Sequence, residues 1–198
     1  MHKRIIGLIL IIISFLITYF HYQQKTKIIL NENNEISYYF EEPNTIKNKQ
    51  KEHHIAILEI PKIKLKKGLY NIDSKLNNVD KNIEILHESD MPDIPNGNLI
   101  LASHWGNSSI SYFKNLTKLG INDKIIIYYN NEKYIYKLVN IYEVEKTGSI
   151  EILRNNNKRT LTLITCNKKD KTKQLVFISE LDTIEWFTNK NPKNMGFY

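Results

Sequence analysis

The chain has 198 residues, 41% hydrophobic and 25% charged, which suits one globular domain with appendages. With 7 Gly and 5 Pro it is neither collagen-like nor low-complexity. The net charge of +7 is almost all lysine, because Arg4, Arg154 and Arg159 are the only arginines. Readers of base edges depend on arginine forks. No basic stripe with interleaved aromatics occurs either, so nucleic acid is not expected as a partner.

The chain opens with Lys3 and Arg4, then an uncharged run, Ile5 to Phe20. As a helix that run spans roughly 24 Å at about 1.5 Å per residue. His21 and Tyr22 extend it towards the thickness of a hydrocarbon core, about 30 Å. Thr18, Tyr19 and Phe20 are poor residues before a signal-peptidase cut. The run is apolar on all sides, unlike an amphipathic core helix. Residues 1–22 therefore read as a transmembrane signal anchor. Lys3 and Arg4 put the amino terminus in the cytoplasm, an asymmetry that Lys25 and Lys27 weaken.

Residues 23–54 are polar and lack sustained periodicity, which predicts a stalk, with Asn31 to Glu35 as loop. His53 and His54 are adjacent and would point to opposite faces of an extended segment, so they are assigned to the linker.

From Ile55 onward short strands dominate. Residues 54–65 alternate and are punctuated by Pro61, and 83–88 and 98–103 follow, with the turn cluster 91–98 between them. Residues Ser111 to Leu119 place Tyr112, Phe113, Leu116 and Leu119 on one helical face, with Gly120 as C-terminal cap. Residues 124–129 and 133–145 flank a turn at Asn130 and Asn131, a hairpin. Residues 160–165 and 174–181 complete a mainly β barrel or sandwich over 55–187. The end, 188–198, is a polar tail.

The single cysteine, Cys166, forms no internal disulfide and no cysteine-based metal site. Such a cysteine is commonly a small buried hydrophobe. This one, however, ends an apolar strand and opens the polar loop 167–173, where a thiol meets solvent. Its nucleophile is the thiolate, which a nearby imidazolium favours. His104 also follows an apolar strand, so both side chains can meet at one rim of a barrel. His87, at the end of another strand, is the competing candidate.

The segment Thr162-Leu163-Ile164-Thr165-Cys166 resembles the sortase signature that carries the nucleophile. Asn98 to Gly106, NLILASHWG, resembles the sortase segment that carries the catalytic histidine. Phe113, Leu116 and the Asn122-Asp123 turn also fit, so the resemblance covers about residues 55–181. It implies an eight-stranded β-barrel with one or two short helices, following the N-terminal transmembrane helix. It implies a cysteine transpeptidase of a Gram-positive cell surface, without metal or organic cofactor. Cys166 would cleave an LPXTG-like sorting signal between Thr and Gly. An amine from a cell-wall precursor or a pilin lysine would resolve the thioester, with His104 as general acid and base. The partners would be surface proteins bearing that signal, and the barrel would lie outside the cell.

Sortases carry an arginine at the start of the strand after the cysteine loop, and here Gln174 stands at that position. Gln174 as a neutral donor, or Lys173 or Lys171 as a point charge, would take its place in binding substrate, together with Thr165. The alternative is a catalytically impaired sortase-like protein that binds sorting signals or envelope partners. No second apolar span follows the barrel, and no Asp-Pro-aromatic lid precedes it. Both features argue against the typical pilin-polymerising class.

Overall fold

A computed structural model describes residues 2–41 and 53–186. The tail 188–198 and the stalk residues 42–52 lie outside the described residues. The described chain forms a long helix, α1 (His2–Glu41), and eight strands. The strands are β1 (Ala56–Ile60), β2 (Leu65–Leu69), β3 (Glu84–Ile85), β4 (Asn98–Ala102), β5 (Lys124–Tyr129), β6 (Glu132–Glu145), β7 (Thr160–Cys166) and β8 (Lys173–Trp186). They make one sheet in the order β2-β1-β5-β6-β8-β7-β4-β3, curled into a nearly closed barrel.

Local chemistry explains the main turns. Pro61 starts a single 3-10 turn, and Lys64 adopts a left-handed conformation at φ 53°, so the alternating run breaks into the antiparallel pair β1 and β2. Asn130 and Asn131 both have positive φ, 49° and 63°. Asparagine tolerates that region, and a two-residue turn of this hand matches the twist of the β5–β6 hairpin. Among the described residues, only β4 and β7 pair in parallel, which places their C-terminal ends at the same rim.

The barrel interior is filled by alternate strand residues, among them Leu58, Ile60, Leu99, Leu101, Ile125, Ile127, Leu161, Leu163 and Phe177, and by Phe113 and Leu116 from the connection between β4 and β5. The helix expected over Ser111–Leu119 is instead a series of turns ending in the 3-10 segment Leu116–Lys118. Phe113, Leu116 and Leu119 are buried as the spacing suggests, because successive compact turns place those positions on the core much as a helix would. Gly120 does not act as a left-handed cap. Its N–H donates to the Asp123 carboxylate at 2.6 Å.

The loop expected at Asn31–Glu35 is helix, part of α1. The cause is tertiary. Ile36 is buried against Ile57, Ile126, Tyr128 and Ile135 on the outer face of the barrel. Glu32 pairs with Lys67, and Glu35 lies 3.8 Å from His54. Full burial of an isoleucine contributes about 1.5–3 kcal/mol, which outweighs the small helix penalties of the asparagines. His54 is not a loose linker residue. Its ring packs on Tyr70 at 4.6 Å between centroids and fills the space over Gly68.

Among the described residues, no helix is long and apolar enough to cross a membrane. The early part of α1 nevertheless exposes Leu10, Ile11, Ile12, Ile13, Phe15, Leu16, Ile17 and Phe20.

Candidate active site

The parallel ladder between β4 and β7 pairs Ala102 with Ile164. Two residues further on each chain stand His104 and Cys166. The pairing continues past the end of β4. The Ser103 N–H donates to the Ile164 carbonyl at 3.3 Å, and the Thr165 hydroxyl donates to the Ser103 carbonyl at 2.9 Å. The strand ends that carry histidine and cysteine are thus tied to each other one residue before the reactive side chains.

Alternation sets the direction of each side chain. Leu161 and Leu163 fill the core, so Cys166 shares the opposite face with Thr162 and Ile164. The thiol is free and half-buried. Thr165, expected to touch substrate, is buried at 2% exposure and spends its hydroxyl on Ser103. Its position is that of a brace between the two strand ends. His104 keeps 38% of its side chain exposed, and its Nε2 lies 2.9 Å from Asp80 Oδ1. His87, the other candidate, follows the short β3, which β4 separates from β7.

On the far side of the thiol, Cys166 pairs with Gln174 in the antiparallel ladder of β7 and β8. Opposed residues of a ladder share a face, so Gln174 and Cys166 stand side by side on one face. Lys173 begins β8 and therefore faces the other way. Its ammonium lies 3.8 Å from Glu143 and 3.9 Å from Glu145. The neighbouring ends of β4, β7 and β8 thus form one row that carries His104, Cys166 and Gln174, with Lys173 on the opposite face of β8.

The loop between β7 and β8 is held by its own side chains. The Asn167 amide donates to Glu143 at 2.7 Å and accepts from the Lys169 N–H at 2.8 Å. Asp170 accepts from the hydroxyl and the N–H of Thr172. Those two hydrogen bonds hold its carboxyl below the usual range, with Lys173 adding to the effect. Lys168 lies 5.8 Å from the centre of the Trp105 ring, a cation–π contact that joins the cysteine loop to the histidine loop. Gly106, at φ 152°, turns the chain just after Trp105.

Sequence reasoning missed Asp80, Glu143 and the Trp105–Lys168 contact. None has a local signal, because each depends on which loops the topology brings together. Among the described residues, no cluster of three or more His, Cys, Asp or Glu is arranged to hold a metal. The row of groups provides a thiol nucleophile, an imidazole for proton transfer and a neutral amide donor, the parts that acyl transfer needs.

A search of the curated proteins finds no match. The solved structures do match. Sortase A of Listeria monocytogenes superposes with a TM-score of 0.60 at 22% identity, covering 73% of this chain and 97% of that one. A sortase D5 transpeptidase of Clostridium perfringens gives 0.61 at 22% identity, covering 77% and 98%. Sortase C of Streptococcus pneumoniae gives 0.58 at 20% identity, covering 66% and 69%. These identities establish a shared fold, and the similar scores single out no class. The family profile of the Sortase domain matches residues 58–182, which include both strand ends of the row. On that match, this chain belongs to the sortase family.

Proposed function

We propose that this chain is an active sortase transpeptidase that recognises an LPXTG-like signal. The observation that carries this reading is the parallel β4–β7 ladder, which brings the ends bearing His104 and Cys166 to one rim. The Cys166 thiolate attacks the carbonyl carbon of the threonine. The Thr–Gly C–N bond breaks as His104 gives a proton to the departing amine, leaving a thioester on Cys166. An incoming amine loses a proton to His104 and attacks the thioester carbonyl. An amide forms and the thiolate is released. Gln174 donates a hydrogen bond to the oxyanion in both steps. A peptidoglycan precursor or a pilin lysine supplies the amine. Residues 1–22 anchor the chain in the cell membrane with the amino terminus inside and the barrel outside, a reading supported by the apolar run and its exposed side chains on α1.

The test is mass spectrometry of the full-length protein with an LPXTG-type peptide and a small amine. The expected result is cleavage after threonine with capture of the amine, abolished in Cys166→Ala. One observation favours a second reading, an impaired enzyme: the arginine position holds Gln174, and Lys173 faces Glu143 and Glu145. Absence of acyl-enzyme across a panel of sorting peptides, with activity gained in Gln174→Arg, would establish that reading instead.

A further inference from the structure

Asp80 lies in the connection between β2 and β3, far from both motifs in sequence, yet its Oδ1 meets His104 Nε2 at 2.9 Å. We propose that Asp80 is the positioning residue for His104: it holds the ring and keeps the proton on Nε2, leaving Nδ1 to exchange protons with the thiol and the amines. The proposal rests on the transpeptidase reading and deepens it.

The chemistry of the pair sets the tautomer. A carboxylate only accepts hydrogen bonds, so the proton between Asp80 and Nε2 belongs to the ring. A neutral imidazole has one N–H and one lone pair, so the lone pair is on Nδ1. Without a partner, a histidine with 38% of its side chain exposed at the start of a loop would sample several rotamers. Only some of those would bring a nitrogen to the thiol.

The turn that carries Asp80 is braced in a way its exposure conceals. The Asp80 N–H donates to the Asn78 side-chain carbonyl at 2.8 Å. The Lys81 and Asn82 N–H groups donate to the Asn78 backbone carbonyl at 2.9 and 2.8 Å. Glu84 accepts from the Val79 N–H at 3.1 Å. Asn82 is buried and donates to the Gly68 carbonyl at 2.8 Å, and Ile83 is fully buried. The adjacent cation does not compete for the carboxylate, because the Lys81 ammonium donates to the Lys75 carbonyl at 2.9 Å. Asp80 therefore presents its carboxylate from a fixed platform. An exposed pair of this kind adds little to stability, whereas small errors in the placement of a reacting group cost rate steeply.

The experiment compares wild type, Asp80→Ala and Asp80→Glu in the full-length protein by two measurements. The first is the 15N spectrum of the His104 ring, which needs no substrate. Wild type should show the Nε2–H tautomer when neutral, and Asp80→Ala a mixture. The second is steady-state transpeptidation. In Asp80→Ala, kcat should fall about tenfold, a loss in keeping with misorientation of a reacting group, with KM within twofold of wild type and most of the rate recovered in Asp80→Glu. A neutral wild-type ring protonated on Nδ1, or an unchanged kcat in Asp80→Ala, would overturn the proposal. If wild type turns over no sorting peptide, the transpeptidase reading is what fails, and the ring spectrum alone then decides for or against the Asp80 contact.

Discussion

Gln174 stands opposite Cys166 in the β7–β8 ladder and on the same face, while Lys173 is turned to Glu143 and Glu145. Of Gln174 and Lys173, two of the three residues offered as substitutes for the missing arginine, only the glutamine shares the thiol's face of the ladder. An amide donor brings no charge, so it stabilises an oxyanion by hydrogen bonding alone. Preorganised donors of that kind are worth about 10²–10³ in kcat. Gln174→Ala should therefore lower kcat by about 10²-fold, and Lys173→Ala should change it little. Single-turnover rates of acyl-enzyme formation measure both. A large loss in Lys173→Ala with none in Gln174→Ala would mean that the lysine leaves its carboxylates when substrate binds. The position of Gln174 was readable from the signature, since only six residues separate the end of β7 from the start of β8, in a tight return. Its facing was not readable, because it depends on whether the ladder starts at Lys173, one residue earlier than the apolar pattern suggests.

Elements were legible where one periodicity served one environment. β5 and β6 follow from Ile- and Tyr-rich runs around the Asn130-Asn131 turn, and β7 from an apolar run that ends at the cysteine. The segment Ser111–Leu119 was typed wrongly because i, i+3 spacing buries the same residues in consecutive turns as in a helix. The last part of α1 was missed for the opposite reason. Asn31, Asn33 and Asn34 disfavour helix locally, and the barrel surface that supports this end lies elsewhere in the sequence. That support is specific enough to break. Ile36 is 1% exposed among apolar neighbours, and a carboxylate there would have no partner to offset its desolvation. Ile36→Asp should undock this end of α1 and leave the barrel folded. In hydrogen exchange, the amides of Glu32 to Tyr39 should lose protection while those of β4 and β7 keep theirs. Loss of protection throughout would mean that the helix is part of the folding unit of the barrel.

At the scale of the whole molecule, the sheet has two ends, β2 and β3, and the barrel is completed there by side chains. Asn77 does the work of a strand residue. Its amide nitrogen donates to the Ile85 carbonyl at 2.9 Å, and its oxygen accepts from the Ile85 N–H at 2.7 Å. Asn82 bonds the other end through the Gly68 carbonyl. Between those two asparagines sits Asp80 against His104. The segment that closes the barrel is therefore also the segment that reaches His104, so on the transpeptidase reading a change in the seam should be felt at the proposed active site. Asn77→Ala strips the Ile85 N–H and C=O of their partner. Leaving part-buried backbone groups unsatisfied costs about 1–3 kcal/mol, or a fall in Tm of several degrees, at roughly 2–8 °C per kcal/mol for a domain of this size. Because the segment that carries Asp80 loses its mooring to β3, kcat should fall as well. Asp80→Ala, by contrast, should lower kcat with Tm unchanged, since an exposed pair contributes little to stability. Thermal melts and turnover of the two variants separate the two roles. Both falling in Asn77→Ala would mean that seam and site are one mechanical unit. A lowered Tm with full activity would mean that the turn at Asp80 is held by Asn78, Asn82 and Glu84 without help from Asn77.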